Sequence, residues 1–139
     1  MTIDADKPSS AFTWRFGGWF GSQIGGTLWL LILGLLLLSI DSLTAWVSLG
    51  SYVVLNAWGL YLWGARRRMS AYAAIQFFLS AASVFIALVV SVANNRGLSQ
   101  PPAPGVLVST SLPWWVIAAA PGLMVWFFLM ELRARRTQD

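Results

Sequence analysis

Charged residues vanish from four stretches of this chain: Phe16 to Ile40, Ser42 to Ala65, Met69 to Asn95 and Gly97 to Met130. The charges stand at the joints and ends, at Arg15, Asp41, Arg66-Arg67-Arg68 and Arg96, and from Glu131 onward. A soluble amphipathic helix keeps a charged or polar face along its whole length. These blocks have none, and each is long enough to cross a hydrocarbon core of about 30 Å, which takes about 20 apolar residues. The pattern predicts an all-α integral membrane protein, a four-transmembrane-helix antiparallel bundle with spans at about 19–40, 43–63, 71–93 and 111–130. Residues 1–15 are expected to form a tail and interfacial anchor, residues 16–132 the transmembrane domain and residues 133–139 a basic tail.

Each joint carries its own signal. The aromatics of Phe12-Thr13-Trp14-Arg15-Phe16, with Trp19 and Phe20, suit the headgroup level. Ser39 to Ser42 reads as a tight turn in which Asp41 and Ser42 are good N-cap residues, and Ser70 can cap the third helix. Arg66 to Arg68 cost about 2.5 to 3.5 kcal/mol each at mid-bilayer, which fixes that joint outside the hydrocarbon. The run Asn94 to Thr110 is the long loop, extended at Pro101-Pro102-Ala103-Pro104. The first block exceeds the roughly 7 to 15 residues of a signal h-region and ends in a poor cleavage site, so it reads as a retained helix.

Four spans place Lys7, Arg15, Arg66 to Arg68, Arg133, Arg135 and Arg136 on one side and Arg96 on the other. The bias predicts both termini in the cytoplasm and a bacterial-type inner membrane. It also explains the net charge of +4 through topology and lipid headgroups, without nucleic acid. The chain has no cysteine and no histidine, and its one lysine lies in the tail. Thiol chemistry, the commonest metal ligand and the commonest general base are therefore absent, and no Ser–His or Ser–Lys pair can form. No enzyme activity, cofactor or metal site is expected.

The candidate sites are structural in kind. Gly17, Gly21 and Gly25 recur every fourth residue, with Gly18, Ser22 and Gly26 as the adjacent row. Such small-xxx-small rows let helix backbones approach closely. They predict a packing face toward another helix of this chain or of another copy, the alternative being a bent interfacial first turn. Gly34 lies outside both rows and is expected to tolerate leucine as a control position. On helix 2, Thr44, Ser48, Ser51 and Gly59 fall near one face. On helix 3, Ala73, Gln76, Ser80, Ser83, Ala87 and Ser91 share one, opposite Phe77, Phe78, Val84 and Leu88. Asn56 and Gln76 are read as the most polar side chains within the membrane, each expected to pair with a neighbouring helix. The Asn56, Gln76, Ser80 and Ser83 set either packs or lines a path. Pro121-Gly122 is a static kink or a hinge.

In size and span count the chain resembles the small multidrug resistance transporters. It departs from them at the membrane-embedded glutamate of helix 1, where Gly34 and leucines stand. No ionisable side chain is expected at mid-membrane, which argues against ion coupling. Two functions remain. The first is an interaction or assembly subunit in a homo-oligomer or larger membrane complex, packing through the helix 1 glycines among membrane lipids. The alternative is a passive channel or carrier for a neutral or lipophilic substrate, with Asn56, Gln76, Ser80 and Ser83 along its path and a bend at Pro121.

Overall fold

The computed structural model describes residues 11–98 and 115–136. The expectations for the tail up to residue 10, the proline-rich loop, the start of helix 4 at 111 and the last three residues lie outside them. Four long helices are present: α1 (Phe16–Leu37), α2 (Ser42–Gly64), α3 (Ala71–Asn95) and α4 (Trp115–Arg136). A single 3-10 turn, Ala65–Arg67, closes α2. All four helices are long and apolar enough to cross a membrane. The protein is an integral membrane four-helix bundle.

The caps follow from local chemistry. Asp41 is extended and its carboxylate accepts the Thr44 N–H at 3.1 Å, starting α2. Ser70 does the same for α3 through the Ala73 N–H at 3.2 Å. Gly97 ends α3 with φ of 75°, where a Cβ would be strained. The Leu98 N–H then reaches the Ala93 carbonyl and the Gly97 N–H the Asn94 carbonyl, both at 3.0 Å. This Schellman closure satisfies two end carbonyls and turns Arg96 back toward the α1–α2 turn.

Two boundaries differ from expectation. Helix α1 spans Phe16–Leu37, starting at the aromatic anchor and ending before Ser39. Helix α4 runs to Arg136, through residues read as a charged tail. Glu131 pairs with Arg135 one turn on at 3.3 Å, and basic residues in a last turn suit the helix dipole. Hydrophobicity marks where the bilayer stops, and the helix continues past it.

The packing is inverted relative to a soluble bundle. The surface carries Leu36, Trp46, Val53, Tyr61 and Trp126, all well exposed, while Gln23, Thr27, Thr44, Ser48 and Ser51 are buried. That arrangement suits lipid as solvent, where helices associate through close packing and hydrogen bonds rather than hydrophobic exclusion. Helix α1 packs on α2, α2 on α3 and α3 on α4, and no comparable α1–α4 contact closes the ring among the described residues.

Candidate functional site

The α1–α2 seam is the best-knit part of the bundle. Gln23, Thr27, Leu30 and Gly34 follow each other at four, three and four residues and make the buried stripe of α1. Gln23 Nε2 donates to the backbone carbonyl of Asn56 at 2.9 Å and to its Oδ1 at 3.1 Å. Asn56 Nδ2 donates to Thr27 Oγ1 at 3.0 Å and to the Tyr52 carbonyl at 2.8 Å. Ser48 Oγ donates to the Leu30 carbonyl at 2.8 Å. Asn56 thus pairs with a neighbouring helix, and Thr44, Ser48, Ser51 and Gly59 are all buried on one face of α2.

Two glycines make this seam possible, and both lie outside the rows singled out by spacing. A Cβ on Gly34 would stand 2.6 Å from Leu49 Cγ and 3.2 Å from the Ala45 carbonyl. One on Gly59 would stand 2.3 Å from Gln23 Cδ. Gly34 is therefore a contact position and not the tolerant control the sequence suggests. Gln23, which sequence reasoning passes over, is 4% exposed, and its Oε1 has no partner. The signal for it was available: Gln23, Thr27 and Gly34 are the non-leucine positions of one α1 stripe.

The glycine rows behave differently. A Cβ on Gly17, Gly21, Gly25 or Gly26 would meet nothing within 4 Å, and one on Gly18 would meet the Arg15 Cβ at 3.8 Å. No glycine of either row would bring a Cβ against another helix of this chain. Gly17, Gly21 and Gly25 lie on the outer surface. Gly18, Ser22 and Gly26 face inward, onto a cavity of about 580 Å³. A space of that size falls within the range of small-molecule sites, roughly 300 to 1,000 Å³.

The cavity lies where the ring of helices fails to close. From α1 it takes the glycine row with Trp19, Gln23 and Trp29, and from α2 Leu55. Helix α3 adds Ile75, Phe78, Leu79, Ala82 and Ile86, and α4 adds Val116, Ala119, Ala120, Leu123 and Phe127. Glycine on α1 and alanine on α4 leave the space, and the larger aliphatic and aromatic groups wall it. Toward the Asp41 end Trp29 bridges α1 to the Ile86–Val90–Ala120 cluster and closes the space.

At the opposite, basic end a short strap, residues 11–15, crosses beneath the helices. The Ala11 N–H donates to Glu131 Oε2 at 3.0 Å. Phe12 packs against Tyr72 at 5.9 Å and edge-on to Phe127 at 5.2 Å. Trp14 Nε1 donates to the Met69 carbonyl at 3.3 Å, and its ring meets Trp19 and Trp63. Residues 12–15 line the cavity, and Arg15 is the charged group in its wall.

The other sequence candidates do not converge on this space. Gln76 Nε2 donates to the Met124 carbonyl of α4 at 3.1 Å, which joins α3 to α4. Ser80 and Ser83 bond back to the Gln76 and Leu79 carbonyls of their own helix, both at 2.8 Å. The deeply buried face of α3 is aliphatic and small, with Ala74, Ala82, Val89 and Ala93, while Ser80 and Ser91 are exposed. Helix α4 runs without a break through Pro121-Gly122, which face outward. Arg66 to Arg68, Arg133, Arg135 and Arg136 are exposed at the basic end, and Arg66 bonds to the Trp63 carbonyl at 3.0 Å and lies over its ring at 4.8 Å.

At the far end Asp41 is buried and pairs with Arg96, with both Nε and Nη2 at 3.0 Å from Oδ1. The Thr44 hydroxyl also donates to it. That hydroxyl bond does most to lower the Asp41 pKa; burial opposes it, and Arg96 and the Thr44 N–H add to the lowering. Every charged side chain among the described residues stands at a helix end. Comparison with family models, with curated proteins and with solved structures returns no match, so the geometry stands by itself.

Proposed function

We propose that this chain is a membrane-embedded binding protein, or passive carrier, for a lipophilic molecule held between α1, α3 and α4. The observation that carries this reading is the cavity, about 580 Å³ in a bundle whose other seams are closed by direct contacts. Its wall is mainly aliphatic and aromatic with a few polar groups, as ligand sites are. The described residues offer no carboxylate, histidine, lysine or arginine midway along the helices, so the reading excludes proton coupling and leaves movement down a gradient. The charge bias supports placing the basic end in the cytoplasm of a bacterial-type cell. Enzymatic chemistry has no support in the side chains described.

The test is native mass spectrometry of the purified chain released from mild detergent. The parent is expected to retain one lipophilic molecule per chain. Gly26→Leu, which would fill the open space beside α1, is expected to lose it while keeping the helical content. Equal retention by parent and Gly26→Leu would overturn the proposal.

A second reading, an assembly subunit, is favoured by the bare Gly17/Gly21/Gly25 row. Glycine in a helix interior costs about 1 kcal/mol relative to alanine in water, and this row has no contact within the chain to offset that. Gly21→Leu is expected to abolish self-association or capture of a partner if this reading holds. Unchanged association would remove it.

A further inference from the structure

We infer that the occupant of the cavity is a single-chain anionic amphiphile, seated with its headgroup at Arg15 and its tail between α1, α3 and α4; this rests on the binding function proposed above. The cavity is not uniform along its length. Its wall carries a charge at one end only, at Arg15, where Thr13 also lines it. Beyond Gly18 the wall carries no charge and is mostly apolar as far as Trp29 and Leu30, with Ser22, Gln23 and Thr27 as its polar residues on α1, over roughly 18 Å of helix at 1.5 Å per residue. A charged head and a hydrocarbon tail match that gradient, whereas a compact apolar molecule leaves the charged mouth unused.

Arg15 is placed for this. Its Cβ lies 3.8 Å from where a Gly18 Cβ would be, so the side chain leaves the backbone on the cavity face of α1. No described carboxylate pairs with it: Asp41 is held by Arg96 at the other end of the bundle, and Glu131 by Arg135. A guanidinium presents a planar fork that suits carboxylate and phosphate oxygens. The start of α1 carries no side-chain cap, so its first N–H groups add positive potential next to Arg15. The same chemistry fits a fatty-acid carboxylate or an alkyl phosphate.

The tryptophans Trp14, Trp19 and Trp29 in the wall supply the readout. Mid-chain dibrominated fatty acid, its methyl ester and a dibrominated alkyl phosphate are titrated onto the full chain in nanodiscs of unbrominated neutral lipid. The pH is held where the fatty acid is ionised, and saturable quenching is separated from linear partitioning. The parent is expected to bind one or both anionic probes about five- to tenfold more tightly than the ester. Preference between the two anionic probes identifies the headgroup. Arg15→Gln should erase the advantage and leave ester binding unchanged. Arg15→Lys should keep part of it, and Arg67→Gln, at the same end but outside this cavity, should keep all of it. Ester binding as tight as the acid, or equal losses in Arg15→Gln and Arg67→Gln, would overturn the inference and leave the cavity function standing. Absence of saturable quenching by every probe, or quenching that survives Gly26→Leu, would overturn both; an α1–α4 opening sealed by a second copy would give the former.

Discussion

Leucine at Gly34 and leucine at Gly21 should have opposite consequences. At Gly34 the first added carbon already collides with Leu49, at 2.6 and 2.7 Å, and crowds the Ala45 carbonyl at 3.2 Å. The Leu49 side chain can rotate away, but the Ala45 carbonyl belongs to the α2 backbone and moves only if the helices separate. Separation strains the Ser48–Leu30 bond next to it, 2.8 Å long. Interhelical bonds of this kind contribute about 0.6 kcal/mol in membranes, and overfilling a packed site costs about 1 to 3 kcal/mol. Gly→Leu recovers somewhat less than 1 kcal/mol of helix propensity. The net for Gly34→Leu is a loss of about 2 kcal/mol. At Gly21 nothing lies within 4 Å. The leucine meets lipid, gains about 0.5 kcal/mol of insertion free energy and adds helix propensity, so the monomer is neutral to slightly stabilised. Unfolding of the purified monomer in mixed micelles of increasing SDS fraction, followed by far-UV circular dichroism, measures both. Unfolding of Gly34→Leu at the parent's SDS fraction, or an equal loss in Gly21→Leu, would refute the assignment of the contact glycine.

Asn56→Leu should destabilise by about 1 to 2 kcal/mol in the same assay, because Thr27 and Gln23 lose partners in a buried seam. Ser80→Ala should stay within about 0.5 kcal/mol, since its hydroxyl bonds to its own helix at an exposed position and reaches α4 only through a weak contact to Met124 Sδ at 3.9 Å. The lowered pKa of Asp41 means the folded state favours the carboxylate more than the unfolded chain does, so its contribution is complete above the ordinary carboxylate range and fades as pH falls through the lowered value. The melting temperature of parent minus Asp41→Asn should thus be positive and flat from neutral pH down to that range and shrink below it; a difference that grows on acidification would contradict the sign. Phe12→Ala removes two ring contacts, worth about 0.5 to 1.5 kcal/mol each, and should raise hydrogen exchange in residues 11–15 while leaving the α1–α2 seam protected. Reconstituted vesicles with an imposed pH gradient should show no lipophile accumulation beyond equilibrium, and accumulation that an uncoupler collapses would contradict passive movement.

The spans, their order and the caps at Asp41 and Ser70 were legible because each depends on local chemistry: the absence of charge, or an oxygen placed to accept an N–H three residues on. The buried face of α2 was legible for the same reason, since Thr44, Ser48, Ser51 and Gly59 are small or polar residues among large apolar ones. The packing of α1 was marked only by Gln23, Thr27 and Gly34, and not by hydrophobicity. In a leucine-rich helix both faces are apolar, so hydrophobicity does not distinguish the side against lipid from the side against α2. Composition then draws the eye to the glycine clusters at Gly17–Gly18 and Gly25–Gly26, whereas contact depends on what faces each residue. Gly34 is a contact glycine because Leu49 and Ala45 stand opposite it, which is a property of the pair of helices. The cavity was illegible for a further reason: it arises from α1 and α4 packing less closely than the other neighbouring helices, and no single helix records that.

The glycines of α1 consequently divide among three physical roles that a shared spacing conceals. Gly34 lets backbone approach backbone, and with Gly59 of α2 it sets the separation at which Gln23, Thr27, Asn56 and Ser48 reach across. Gly18 and Gly26 do the opposite: facing α3 and α4 without side chains, they keep volume open that two leucines would fill. Gly17, Gly21 and Gly25 do neither within the chain and remain available to lipid or to another protein. A tight seam on one side of α1 is what allows a hollow on the other, because the hydrogen bonds to α2 hold the helix in place with little support from α4 beyond Trp29. The strap carrying Arg15 then spans the gap at the basic end, tied by Trp14 to Met69 and by Ala11 to Glu131. This places a cation at the mouth of an apolar space without burying it in hydrocarbon, where its charge would be most costly.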